Sequence, residues 1–413
     1  MNKTQEPKQI LSELFSVALS NVNGCKAVEE HLVKTPIDGK VAIVAIGKAA
    51  ASMMLGAKKQ LKQQIQSALI ITKEGYSDKS LDYDCIEAGH PVPNDQSLIA
   101  GNKLLEFLRN IPNDTKLLAL ISGGASTLVE VLPENMALSD LQQMNEWLLA
   151  TGLDIHEINK VRQAVSLIKG GKALEYLKQK SMIQLLISDV KMDDKENIGS
   201  IGSGLFVKND ENIALPKIPD WVNKYLQTPK QTSSVSVDSH VIASNNMACQ
   251  AIIDESKSQN YDVFYHGQSL YGDVFDLAGS LANDLLNAKP GLHLWGGEPT
   301  IILPEQPGRG GRNQSLALAL ACHIEGIKRI TVLVAATDGS DGPTDDSGAI
   351  IDGFTLQRGN QQGNNQHFAK DYLAEADAGT FLAQAGDLIS TGPTGTNVMD
   401  LVIAIKEPIS GAP

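Results

Sequence analysis

Along the first half of the chain, short apolar runs alternate with stretches whose apolar residues recur at helical spacing. The runs Val41–Ile46, Ala68–Thr72, Leu117–Ile121 and Ile183–Ile187 are apolar throughout rather than at every second residue. That is the pattern of parallel strands covered on both faces. Helical patterns separate them, the first from about Ala49. Strand–helix repetition of this kind predicts a layered α/β domain. Ahead of the first run, Ile10, Leu11, Leu14, Phe15, Ala18, Leu19 and Val22 predict an amphipathic helix. Residues 208–237 then break the pattern with three prolines and many polar residues. The alternation resumes with Val241–Ala243, Asp262–Tyr265, Ile330–Ala336 and Val398–Ile405. The break predicts a connection between two domains, 1–229 and 230–413.

A length of 413 residues agrees with two to three domains at the usual ~100–200 residues each. Lys plus Arg is 35 and Asp plus Glu is 48, a net charge of −13. That argues against nucleic acid or an anionic membrane surface as partner, both of which want a basic face. The four cysteines, Cys25, Cys85, Cys249 and Cys322, lie far apart with no metal-ligand spacing, as in a reducing compartment. The amino-terminal residues are too polar for a signal peptide, and no apolar stretch reaches the ~18 residues of a spanning helix. The expectation is a cytoplasmic protein whose partners are small molecules.

Ligands of open α/β sheets bind beyond the carboxyl ends of the strands, so candidate chemistry is sought there. Gly47-Lys48 follows the first strand and puts a cation at a helix start, where backbone N–H groups already favour an anion. The turn carries neither the GxxxxGK[ST] nor the GxGxxG pattern. Ser122-Gly123-Gly124-Ala125-Ser126 follows Leu117–Ile121. Two glycines and two hydroxyls suit a nest for phosphate oxygens, or a glycine turn capped by Ser126. In residues 154–172, Asp154 and Glu157 resemble a capping box. Asn159, Arg162, Ser166 and Lys169 then share one helical stripe, either an anion site or a solvated face. Asp189, just past Ile187, is placed to bind Mg²⁺ or a hydroxyl, or to cap a turn.

In the second half, Leu292–Trp295 runs into Gly296-Gly297-Glu298, and Gly308-Arg309-Gly310-Gly311-Arg312-Asn313-Gln314 opens a helix at Ser315–Ala321. Arginines among glycines are costly unless an anion compensates them. Residues 337–348 form the densest acidic loop, and Asp338 and Asp341 are its candidate ligands for a divalent cation. Thr391–Asn397 adds hydroxyls and N–H groups, with Asp400 in the strand that follows. Cationic loops, N–H nests and an acidic loop are together what phosphoryl transfer from Mg·ATP needs.

The ordered set VAIGKAA, EAGHPVPN, ISGGAS, EINKVRQAVSLIKGGK, ISDV, GSGL, WGGEPTIIL, GRGGRNQ, AATDGSDGPTDDSGAIID and TGPTGTNVMDL resembles the glycerate 2-kinase family. Its members are class II glycerate kinases with a carboxyl-terminal MOFRL domain, and some carry the label hydroxypyruvate reductase. The resemblance runs from about Ile10 to Ile405. It implies a Rossmann-like layered amino-terminal domain, a smaller α/β domain and a cleft between them. It implies ATP-dependent phosphorylation of D-glycerate at the 2-hydroxyl, with Mg²⁺, by a monomer or homodimer. Lys48, with Arg312 or Arg309, matches the family's catalytic pair, and Asp189 joins them as a catalytic candidate. Ser122, Gly123, Gly124, Ser126, Asn159, Arg162, Lys169, Gly297, Glu298 and Asn313 are candidates for binding substrate and phosphate. The alternative is an NAD(P)H-dependent hydroxypyruvate reductase, which wants a glycine-rich dinucleotide turn that GKAAASM does not offer.

Overall fold

The computed structural model describes residues 6–151, 153, 155–191, 195–207, 215–227, 233–362 and 368–408. The chain forms two compact units. The first is Asn23–Ser244 with Gly395–Asn397, and the second is Met1–Val22, Asn245–Thr394 and Val398–Pro413.

The sheet of the first unit has six strands: β1 (Lys40–Ile46), β2 (Ile65–Lys73), β3 (Asp84–Ala88), β4 (Thr115–Ile121), β5 (Ser181–Ile187) and β6 (Ser236–Ala243). Their order is β3-β2-β1-β4-β5-β6, and every adjacent pair is parallel. The continuous apolar runs have their cause here. All of Val41–Ile46 and Leu117–Leu120 are buried, because helices Ala50–Leu61 and Asp95–Asn110 come back over the sheet. Asn94 starts the second of these helices, its side chain accepting from the Ser97 N–H while the Ser97 hydroxyl accepts from the Asn94 N–H.

The second unit also has a six-stranded sheet: β7 (Val263–Asp273), β8 (Gly291–Thr300), β9 (Ile330–Ala336), β10 (Gly348–Asp352), β11 (Leu388–Ile389) and β12 (Asp400–Lys406). Its order is β11-β10-β9-β12-β8-β7, with only β7 and β8 parallel. Helix Arg312–His323 lies on it and is buried from Asn313 to Ala321.

The units differ from the expected 1–229 and 230–413 at both ends. The expected connection at 208–237 reaches into β6, which pairs with β5 throughout its length. Val222 and Tyr225 are buried among Met144, Leu148, Val161 and Val165 of the first unit, so this part of the proline-rich stretch is core rather than linker. The helix predicted from Ile10 exists as Pro7–Asn21 but belongs to the second unit. Lys8 there pairs with Asp387 at 2.6 Å and Asp352 at 3.3 Å. Among the described residues, no helix is long and apolar enough to cross a membrane.

Candidate functional site

In the first unit the chain leaves β1 toward β2 and β3, then crosses back to β4, so successive connections diverge between β1 and β4. That divergence opens a crevice at the carboxyl ends of the two strands. The loops flanking it are Gly47-Lys48 and Ser122–Ser126, and they are tied together. The Lys48 N–H donates to the Gly123 carbonyl at 2.9 Å, the Ser122 N–H to the Ile46 carbonyl at 2.9 Å, and the Ala49 N–H to the Ser122 hydroxyl at 3.0 Å. Gly47 has φ 127°, and a Cβ there would stand 2.2 Å from Ser122 Oγ. Only glycine lets the two loops approach this closely.

Gly123 and Gly124 form the floor. A Cβ on Gly124 (φ 84°) would stand 3.0 Å from the His90 ring and 3.3 Å from Lys48 Cγ. A Cβ on Gly123 would stand 2.1 Å from Asn397 Nδ2 and 2.5 Å from Asp189 Oδ2. The structure therefore gathers Lys48, His90, Asp189 and Asn397 round the SGG loop, all half-buried. Ser122 is fully buried and its hydroxyl accepts from Ala49, so it braces the loop from within.

The stripe Asn159, Arg162, Ser166 and Lys169 is neither solvated nor wholly helical. The helix is Ile155–Val165, and Asp154 lies outside the described residues. Asn159, Ser166 and Lys169 are buried. Ser126 bonds Ser203 at 2.8 Å, and the Ser203 hydroxyl donates to Asn159 Oδ1 at 2.9 Å. Asn159 thus reaches the SGG loop through Ser203. Lys169 does not. Its ammonium donates to Glu130, which also accepts from Ser166, inside a pair only 3% exposed on each side. Burial lowers the Lys169 pKa against the pull of Glu130. The expected phosphate contact at Lys169 is replaced by this internal ion pair, because a buried cation needs a fixed partner. Arg162 donates to Asn145 at 3.1 Å, and burial lowers its pKa while Glu130 opposes.

In the second unit, Arg312 is the first residue of its helix. Its Nε donates to Asp400 Oδ2 at 2.6 Å and its Nη2 to Asp400 Oδ1 at 3.1 Å, while Nη1 meets Glu298 at 2.7 Å. Glu298 follows Gly297 on β8, whose φ of 142° leaves no room for a side chain beside Leu270. Burial works against the Arg312 charge, but Asp400 and Glu298 overcome it and hold the guanidinium well above its usual range. Burial pushes Asp400 up to about 6, with Arg312 pulling the other way. Arg309 is more open, with a side chain 48% exposed and its Nη2 on Asp346 at 2.6 Å. Guanidinium has five donors, so both arginines are fixed by carboxylates and keep N–H groups beyond those contacts.

The acidic loop serves that helix. Asp341 Oδ1 accepts from the Asn313 N–H at 3.0 Å and side-chain amide at 3.3 Å, and Oδ2 from the Gln314 N–H at 2.8 Å. Gly311 lacks a Cβ because one would stand 2.5 Å from Asp341 Oδ1. Asp341 thus caps the start of helix Arg312–His323. Both of its oxygens accept from backbone donors, and burial raises its pKa against them. Asp338 Oδ1 accepts from the Ser340 N–H at 3.1 Å. Among the described residues no group of three or more His, Cys, Asp or Glu could hold a metal ion. Asp341→Ala should cost about 2 kcal/mol, since it strips a cap and strands buried donors. Urea unfolding checks the loss.

Sequence reasoning passed over His90, Ser203 and Glu130 as site residues, and took Asn397 only as part of the Thr391–Asn397 loop. His90 and Asn397 stand in stretches already notable for Gly and Pro. Ser203, between Gly202 and Gly204, takes φ 54°. Only the folded chain brings Asn397 to Gly123.

A family model described as "Domain of unknown function (DUF4147)" matches residues 10–234, and the MOFRL family model matches residues 291–400. The chain is 32% identical over 416 residues to a D-glycerate 2-kinase of Thermotoga maritima, covering 96% of this chain and 98% of that protein. It is 33% identical over 384 residues to an Agrobacterium vitis protein with a provisional hydroxypyruvate reductase name, covering 88% of this chain and 98% of the other. Among solved structures, a Thermotoga maritima glycerate kinase superposes with a TM-score of 0.80 at 31% identity, covering 97% of this chain and 99% of that one.

Proposed function

The chain belongs to the glycerate 2-kinase family, which joins a DUF4147 domain to a MOFRL domain, and on that premise we propose that it transfers the γ-phosphoryl group of ATP to the 2-hydroxyl of D-glycerate. The observation that carries the reading is the crevice of the first unit. There Lys48 stands beside the Gly123-Gly124 turn at the divergence of β1 and β4. A cation over a glycine turn neutralises charge that grows on phosphoryl oxygens, and positioning with neutralisation supplies most of this catalysis. Asp189, across the same turn, takes the hydroxyl proton as the alcohol oxygen bonds to the γ-phosphorus. The bond from phosphorus to the β-bridging oxygen breaks, and ADP leaves.

In the second unit, Arg312 is held in a fixed plane by Asp400 and Glu298 and is a candidate for contact with an anionic group of a substrate. Arg309, with the more exposed side chain, binds anionic groups of the substrates. Ser126, tied through Ser203 to Asn159, supplies a further polar contact. Mg²⁺ accompanies the nucleotide and shields its phosphate charge. It usually takes only one or two protein carboxylates, and Asp338 and Asp341 are the expected pair.

The reductase alternative has the weaker support, the provisional name of the Agrobacterium vitis relative. The turn after β1 is Gly47-Lys48-Ala49-Ala50, without the glycines a pyrophosphate-binding turn requires. The test is a pair of assays on one preparation. Glycerate-dependent ADP formation is the expected result. NADH loss with hydroxypyruvate, in the absence of such ADP formation, would replace this reading with the other.

A further inference from the structure

Residues Gly395–Asn397 lie in the first unit, while the chain on either side of them lies in the second. Gly395 fixes the segment there. Its carbonyl accepts from the Gly24 N–H at 2.9 Å. With φ 74°, it leaves no room for a Cβ, which would stand 2.6 Å from Ser52 Oγ and 3.0 Å from Asn23 Nδ2. The segment thereby carries Asn397 to the SGG loop. Its amide nitrogen and Asp189 Oδ2 both lie within 2.5 Å of the point where a Gly123 Cβ would stand. A neutral donor and a carboxylate acceptor therefore both flank the same glycine.

We propose that Asn397 is a positioning residue for phosphoryl transfer, holding the Asp189 carboxylate over Gly123. The proposal rests on the reading of Asp189 as the acceptor of the hydroxyl proton. A primary amide suits this task. It donates to a carboxylate without adding a charge, so it fixes the oxygen and leaves its basicity largely intact. Lysine in its place would hold the carboxylate but depress its pKa. Lys48 and His90 also face the loop, both over Gly124.

The experiment is a double-mutant cycle on the full chain, read as kcat and as the pH dependence of kcat. Asn397→Ala should lower kcat about 10- to 100-fold, as small misplacements of a reacting group do. Asp189→Asn should lower it further, and the double variant should be no worse than Asp189→Asn alone, because the amide acts only through the carboxylate. Asn397→Asp, which sets a second carboxylate beside the first, should move the acidic limb of the profile upward by about one pH unit. Melting temperatures confirm that each variant is folded, and should Asn397→Asp not fold, the cycle decides alone. Additive losses in the cycle, or an unshifted limb in folded Asn397→Asp, overturn the positioning role. A wild-type protein without glycerate-dependent ADP formation overturns the functional reading itself and the role with it.

Discussion

Lys48→Ala will lower kcat by about two to three decades, or about 3–4 kcal/mol of transition-state stabilisation, while the protein stays folded. The fold survives because Lys48 contributes its backbone to the structure. Its N–H donates to the Gly123 carbonyl, a bond that alanine retains, and the close approach of the loops depends on Gly47 and Ser122 instead. The side chain has its place beside Gly124, next to His90. Charge develops on the transferring group in the transition state, so the loss falls on kcat more than on either KM. Steady-state kinetics with a melting curve decide the matter. A folded Lys48→Ala protein with near-normal kcat would remove Lys48 from the mechanism.

Arg312→Ala will lose activity and stability together, and the stability loss will depend on pH. Asp400 is buried and bonded bidentately by Arg312. Removing the guanidinium strands a buried carboxylate, a change that costs about 3–5 kcal/mol in a fully enclosed pair. Here the arginine side chain is 32% exposed, so solvent screening brings the figure toward about 2–3 kcal/mol. The sign with pH follows from Asp400. Its folded value, about 6, lies above the ~3.9 of an unfolded aspartate. In the wild type this carboxyl therefore favours the folded state at low pH, and that contribution is lost as pH rises through 6. Without Arg312 the folded value climbs higher still. The deficit of the variant against wild type should be narrow at pH 5 and wide at pH 8 in urea unfolding. A deficit independent of pH would mean that Arg312 does not govern Asp400. Arg312→Lys should keep charge but not the planar fork, and so recover only part of either loss.

The strands were legible where burial on both faces leaves an unbroken apolar run. Ile330–Ala336 in the sequence is β9 to the residue, and Val41–Ile46 is β1 with one residue added. β3 was not legible, because Asp84–Ala88 is half polar and sits at the sheet edge. Neither was the membership of β6, since the proline-rich stretch before it mimics a linker while Val222 and Tyr225 pack in the core. That the Gly47-Lys48 and Ser122–Ser126 loops are neighbours was legible, because each follows the carboxyl end of one of two adjacent parallel strands. The glycines and arginines of 308–314 were read as compensated by a ligand. In the fold, Asp341, Asp346, Asp377 and Asp400 already compensate them. Their partners lie 27 to 88 residues away in sequence, a separation that no local pattern encodes. The same holds for Lys169 and Glu130, 39 residues apart.

The central claim is the position at which the phosphoryl group lands, and the proton-coupled ³¹P NMR signal of the product reports it directly. A phosphate on the secondary carbon couples to one proton and gives a doublet, whereas one on the primary carbon couples to two and gives a triplet. Purified protein with ATP, Mg²⁺ and D-glycerate should yield the doublet of 2-phosphoglycerate, growing as the γ-phosphate signal of ATP declines. A triplet, or loss of the γ-phosphate to inorganic phosphate alone, would contradict the account.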